Sequence, residues 1–149
     1  MRHIRFRTLL LRHTLWAVLA ALLPFTAAAQ GLAPDDARAV RTIIEAQLDA
    51  FQRDDAPRAF SYAAEGIRST FGTAESFIEM VRRSYPVVYR PKSVQFEAPV
   101  SIEGEVVQPV RMTDSEGRAW LAVYPMQRQP DGAWKINGCR LGRLPGLGV

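Results

Sequence analysis

Histidine is nearly missing from this 149-residue chain: His3 and His13 are the only two. From Thr14 onward there is no imidazole, which excludes Ser-His-Asp triads, histidine general bases and histidine-containing metal sites from that part. Cysteine is as scarce. Cys139 stands alone, so no intrachain disulfide can form. Acids are missing from the amino end, where none precedes Asp35, while Arg2, Arg5, Arg7 and Arg12 are all found there. The formal charge of +4 comes from those four arginines. Without the first 29 residues, basic and acidic side chains balance, which excludes nucleic-acid binding driven by net charge.

What stands at the amino end is ordered. A basic stretch over residues 2–13 leads into the apolar run TLWAVLAALLPFT (14–26), and then into Ala27-Ala28-Ala29. Basic, apolar and small-residue segments in that order predict a secretory signal peptide over residues 1–29, cleaved after Ala29. The run is shorter than the ~20 residues a spanning helix needs. Pro24 breaks helical hydrogen bonding near the cleavage site. No cysteine closes the run and no Arg-Arg pair precedes it, which points to the general export route. The expected location is the periplasm or the medium, with membrane contact only through the leader before cleavage.

The rest changes period once. Pro34, Asp35 and Asp36 predict a helix start. Val40, Ile43, Ile44, Gln47, Leu48 and Phe51 then recur at steps of three and four, an amphipathic stripe. Asp54-Asp55 and Ala56-Pro57 stop this helix and open a shorter one that carries Ala59, Phe60 and Ala63 and ends near Gly66. Residues 67–72 read as a connector. Thr73 caps a third helix with Phe77, Met80, Val81 and Tyr85 on its stripe, closed by Pro86. After Pro86 the period becomes two, with β-rich stretches over 87–96, 106–112, 118–126 and 134–139. Asp114-Ser115-Glu116-Gly117 and Pro130-Asp131-Gly132 are the tight turns between the later ones. Helices in a block before strands in a block predict an α+β fold, with three N-terminal helices packed on a curved antiparallel sheet of about four strands. One domain over 30–141 is expected, followed by a loose tail over 142–149.

Several runs carry a family likeness. Ala50-Phe51-Gln52-Arg53-Asp54-Asp55, then Ala59-Phe60, Ala63, Ile67 and Phe71-Gly72, form the first. Phe77, Met80-Val81, Tyr85-Pro86 and Val88-Tyr89-Arg90-Pro91 continue it. Gly117-Arg118-Ala119-Trp120, Tyr124-Pro125-Met126, Asp131-Gly132-Ala133-Trp134-Lys135-Ile136 and Gly138-Cys139 complete it. Over most of 36–141 the chain resembles the bacterial DUF4864 family, a domain of unknown function. The resemblance implies an NTF2-like fold, a cone of helices against a bent sheet. That superfamily includes isomerases, dehydratases, hydrolases and non-enzymatic binding domains, so the fold alone implies no reaction.

Four sets of residues are candidates for a site. Tyr62, Phe71, Tyr85, Tyr89, Trp120 and Tyr124 are expected near a ligand pocket between helices and sheet; the plainer reading is that they fill the core. Asp54 and Asp55 could supply a carboxylate with raised pKa in an apolar cone; the plainer reading is helix termination and capping. Arg58, Arg68, Arg82, Arg83 and Arg90 could grip an anion, or pair with Glu65, Glu75 and Glu79. Cys139 has no histidine to activate it and reads as a small buried hydrophobe.

Together these favour an exported, non-catalytic domain that binds a small apolar ligand or a partner protein in its cone, without a cofactor or a metal. The alternative in another class is a small isomerase or hydrolase that pairs a buried Asp or Glu with a tyrosine. A third reading is a homodimer formed through the outer sheet face at Leu121 and Val123.

Overall fold

The computed structural model describes residues 30–145. The leader assigned to residues 1–29 and the last four residues of the assigned tail lie outside the described residues.

The longest helix follows from its sequence. In α1 (Pro34–Gln52) proline occupies the first turn, where its missing N–H costs nothing, and Asp35 and Asp36 meet the positive end of the helix. Val40, Ile44, Gln47, Leu48 and Phe51 are all buried, so the 3.6-residue stripe faces the core. Asp54 reverses the chain in the left-handed region (φ 59°), which aspartate tolerates better than most side chains. Asp55 then caps α2 (Ala56–Ser61) by accepting from the Arg58 N–H at 3.1 Å. Thr73 caps α4 (Ala74–Ser84) in the same way through the Ser76 N–H.

Two helices appear where the sequence predicts none. α3 (Glu65–Phe71) replaces the expected connector. Gly66 does not end a helix; it sits in the first turn of α3, where a glycine costs little. α5 (Pro86–Tyr89) is a single turn at the start of the segment read as β-rich. Its Val87, Val88 and Tyr89 are all buried. Tertiary packing here outweighs the strand preference of a Val-Val-Tyr run. The described residues thus hold five helices rather than three.

The sheet is antiparallel, and its strands are more numerous than the four expected. β1 (Gln30–Gly31), β2 (Ser93–Phe96), β3 (Val100–Ile102), β4 (Glu105–Thr113), β5 (Ala119–Arg128), β6 (Trp134–Ile136) and β7 (Arg140–Arg143) form one sheet. β4 and β5 are its spine, paired from Val106↔Met126 to Thr113↔Ala119. Each spine strand changes partner along its outer edge. β4 pairs with β3 through Val106 and Val107 and with β2 from Val110 onward. β5 pairs with β7 up to Val123 and with β6 from Met126 onward. A proline stands at each change, Pro109 on β4 and Pro125 on β5. The Pro109 carbonyl accepts from the Glu97 N–H at 3.1 Å and the Pro125 carbonyl from the Asn137 N–H at 2.8 Å. In a strand the N–H and C=O of one residue point to the same side. Both missing proline N–H groups therefore face the breaks, where no ladder bond is required. Gln108, 1% exposed, mends the first break by donating from Nε2 to the carbonyls of Glu97 and Pro109. Interrupted flanks let the sheet curl into a half-barrel around the helices.

The inward face carries Val110, Met112, Ala122, Tyr124 and Met126 against α1, α4 and α5. Leu121 and Val123 are half-buried on the opposite face. Strand β7 runs on through Gly142 and Arg143, past the boundary expected at Leu141. No helix among the described residues is long and apolar enough to cross a membrane.

Candidate functional site

A cavity of about 300 Å³ lies between the helices and the curled sheet. α1 contributes Gln47 and Phe51, and α3 contributes Ile67 and Phe71. α4 contributes Phe77, Met80 and Val81, followed by Tyr85 and Val88 around the start of α5. The sheet side is Tyr124 of β5, Ile136 of β6 and the Gly138-Cys139 connector. Ile67, Phe71, Met80 and Tyr85 are half-buried, whereas Phe51 and Tyr124 are sealed in. No Asp, Glu, Lys or Arg lines this space.

An aromatic cluster builds the helical wall. Phe77 is its centre, with ring centroids 6.0 Å from Phe51, 5.3 Å from Phe60 and 5.7 Å from Phe71, the last edge-on. The α2–α3 junction is stitched to β6, because Ile136 N–H donates to the Tyr62 carbonyl at 2.9 Å and Ala64 N–H to the Ile136 carbonyl at 2.8 Å. These bonds hold α3 over the cavity although none of its residues is fully buried.

Polar groups on the wall are few. Gln47, 4% exposed, donates from Nε2 to the Ala59 carbonyl at 3.0 Å, which fixes α1 to α2. The Tyr124 hydroxyl is buried and has no hydrogen-bond partner. The Cys139 thiol adjoins it, and sulfur is a weak hydrogen-bond partner. Burial, with the thiol beside it, pushes the Tyr124 phenol well above its ordinary pKa, so it stays a neutral O–H donor. Burial likewise pushes the Cys139 thiol up to about 12, only partly offset by the Tyr124 hydroxyl.

That gives a direct check. At pH 8 the rise from 9.0 to about 12 removes nearly all thiolate. Allowing for the greater intrinsic reactivity of a more basic thiolate, Cys139 should alkylate at least about tenfold more slowly than in unfolded chain. Iodoacetamide labelling with and without urea measures the ratio. Native labelling at the unfolded rate would show that the thiol is outside the cavity wall.

The candidate aromatics divide into two groups. Phe71, Tyr85 and Tyr124 line the cavity. Tyr62, Tyr89 and Trp120 are engaged elsewhere. The Tyr62 hydroxyl accepts from Arg58 Nε at 3.3 Å. Trp120 Nε1 donates to Asp114 Oδ2 at 2.9 Å. Tyr89 belongs to a charged knot at the end of α1, where its hydroxyl donates to Asp54. The same carboxylate takes Arg90 Nη2 at 3.0 Å and Arg82 Nη2 at 3.2 Å, and both guanidiniums lie over the Tyr89 ring. Arg90 also donates to the Phe51 carbonyl, so the knot fixes the last turn of α1. About half of the Asp54 side chain is in water. It is therefore a partly exposed tether and not a base within the apolar pocket. Two of the five candidate arginines, Arg82 and Arg90, do converge, but on this carboxylate. Arg83 pairs with Glu79, and Arg68 stacks over Phe60. Among the described residues no group of three or more His, Cys, Asp or Glu could hold a metal ion.

Sequence reasoning passed over Ile67, Met80 and the Gly138-Cys139 connector as wall residues. One usable signal was Gln47, a polar residue on the buried stripe of α1.

A mixed α+β domain results, in which helices line a curled antiparallel half-barrel and close an uncharged cavity against it. The family profile for "Domain of unknown function (DUF4864)" matches residues 33–149, and the chain belongs to that family. No curated protein and no solved structure matches it.

Proposed function

We propose that this is an exported, NTF2-like binding domain that holds a small apolar molecule in the cavity between its helices and its sheet. The observation that carries the reading is the cavity itself, about 300 Å³ with no charged residue in its wall. Pockets for small ligands have this character, mostly apolar with a few placed polar groups. The space is that of about ten water molecules, and water gains little beside Phe, Ile, Val and Met side chains. Binding is favoured over catalysis because a proton-transfer mechanism would need an acid or base in the cavity. The Tyr124 phenol and the Cys139 thiol, both held protonated by burial, are poor substitutes.

Export rests on the basic, apolar and small-residue order of residues 2–29. Intact mass of the natively expressed protein should correspond to a chain that begins at Gln30; retention of the first 29 residues would refute export with cleavage.

Binding is tested with N-phenyl-1-naphthylamine, a neutral apolar fluorophore. Its emission should rise and saturate with the wild-type protein. Met80→Trp places a larger side chain at a half-buried wall position and should weaken the titration tenfold or more while leaving the far-UV circular dichroism unchanged. Saturable binding of equal strength in the variant would place the fluorophore elsewhere.

A further inference from the structure

The Tyr124 hydroxyl is the one buried side-chain polar atom among the described residues that lacks a partner. Its residue is 1% exposed and forms part of the cavity wall. An unsatisfied buried hydroxyl is costly, and native structures keep few of them without a reason. Packing does not supply one, since phenylalanine would fill the same place on β5 without the polar atom. A water wedged there would itself need two to four polar partners, and the polar side chain beside the hydroxyl is the weakly accepting Cys139 thiol.

We propose that the cavity selects a ligand with one uncharged hydrogen-bond acceptor, a carbonyl oxygen on an otherwise apolar body, and that Tyr124 is the residue that recognises it. The proposal rests on the reading of the cavity as a ligand site and adds the chemistry of its occupant. A carbonyl oxygen accepts the phenolic proton and satisfies donor and acceptor together. In the proposed complex it takes the place of the Cys139 thiol beside the hydroxyl. A carboxylate does not fit, because no Lys or Arg lines the wall to offset its loss of hydration. A plain hydrocarbon fits by shape but leaves the hydroxyl unpaired. The ligand class is thus a small aryl or alkyl ketone, aldehyde or ester.

Three probes with the same nine-carbon count separate the alternatives: propiophenone, n-propylbenzene and 3-phenylpropionate. Each is titrated by calorimetry into the wild-type protein and into Tyr124→Phe at pH 7. The wild type should bind propiophenone about tenfold more tightly than n-propylbenzene, and 3-phenylpropionate most weakly. Tyr124→Phe should reverse the order and bind the hydrocarbon more tightly, because a carbonyl buried without a donor loses its hydration for nothing. Its melting temperature should match or exceed that of the wild type, because the substitution removes an unsatisfied group. Equal wild-type affinities for ketone and hydrocarbon would overturn the carbonyl assignment while leaving the cavity as an apolar ligand site. A ketone preference that survives in Tyr124→Phe would overturn the role of Tyr124. Tighter binding of 3-phenylpropionate than of the ketone would overturn the uncharged character of the ligand. Binding of none of the three would overturn both the assignment and the cavity reading.

Discussion

Phe51→Ala should destabilise the fold by about 3–5 kcal/mol, read as a shift in the urea midpoint at unchanged slope. Phe51 is 1% exposed and takes part in three features at once. Its ring packs 6.0 Å from Phe77 and 5.9 Å from Tyr89. Its carbonyl accepts from Arg90, which ties the end of α1 to α5. It also forms part of the cavity wall, so truncation enlarges an existing space instead of opening a separate void. The neighbouring wall cannot easily collapse, because Phe77 is held by Phe60 and Phe71 on its other sides. A domain of this size has about 5–15 kcal/mol in total, so this one substitution consumes a large share. Phe71→Ala is the control. Phe71 is half-buried at the cavity and meets Phe77 edge-on, and it should cost well under half as much. Equal losses at the two positions would show that the aromatic cluster has no buried centre.

The stripe of α1 could be read from the chain because its period, its proline and its first-turn acids all agree. The spine hairpin could be read for a similar reason. Asp114 to Gly117 supplies turn chemistry between two alternating runs, and Gly117 takes a φ of 80° there. Where the prediction failed, local preference was set aside by packing or was masked by a residue with two uses. Gly66 is common beyond a helix end, yet here it opens α3. The β-branched pair Val87-Val88 reads as strand, yet Pro86 starts a helical turn that buries both. β3 is too short to show an alternation of its own, although Glu103-Gly104 forms its turn with both residues at positive φ, the two-residue arrangement that suits a hairpin. The second half of β7, Gly142 and Arg143, reads as tail because the sequence from Gly142 onward looks loose. Its ladder to β5 comes from the partner strand and leaves little mark in its own sequence.

The site was less legible than the fold, and the reason is geometric. Aromatic residues mark cavities and cores equally, and only three-dimensional placement separates Tyr124 from Tyr62, Tyr89 and Trp120. Each of those three finds a polar partner, Arg58, Asp54 or Asp114. Tyr124 finds none. An unmet hydrogen bond is a property of surroundings contributed by α1, α4, β6 and the 137–139 connector, which no local pattern records. The convergence of Arg82 and Arg90 on Asp54 likewise links residues 28 and 36 positions apart in the chain.

Asp114→Ala should lower the melting temperature by several degrees, with a pH dependence that identifies its cause. Asp114 is 8% exposed at the end of β4 and serves as the acceptor for the whole spine turn. Oδ1 takes the N–H groups of Glu116 at 3.0 Å and Arg118 at 2.9 Å; Oδ2 takes Arg118 Nε at 2.7 Å and Trp120 Nε1 at 2.9 Å. Burial acts to raise its pKa, but these four donors, with Trp120 and the Arg118 side chain foremost, outweigh burial and hold the carboxyl far below its ordinary 3.8. A pKa lowered on folding means that the unfolded chain takes up the proton first. The stabilisation is therefore complete above the ordinary carboxylate pKa and is lost progressively as the pH falls below about 3.8. Asp114→Asn keeps the size and one acceptor but cannot ionise, so it should fall between wild type and alanine at pH 7. The gap between wild type and Asp114→Asn in urea midpoint should narrow from pH 7 to pH 2.5, because the wild type loses what the asparagine variant never had. A gap of constant width over that range would mean that the carboxylate charge adds nothing and that the turn is held by shape alone.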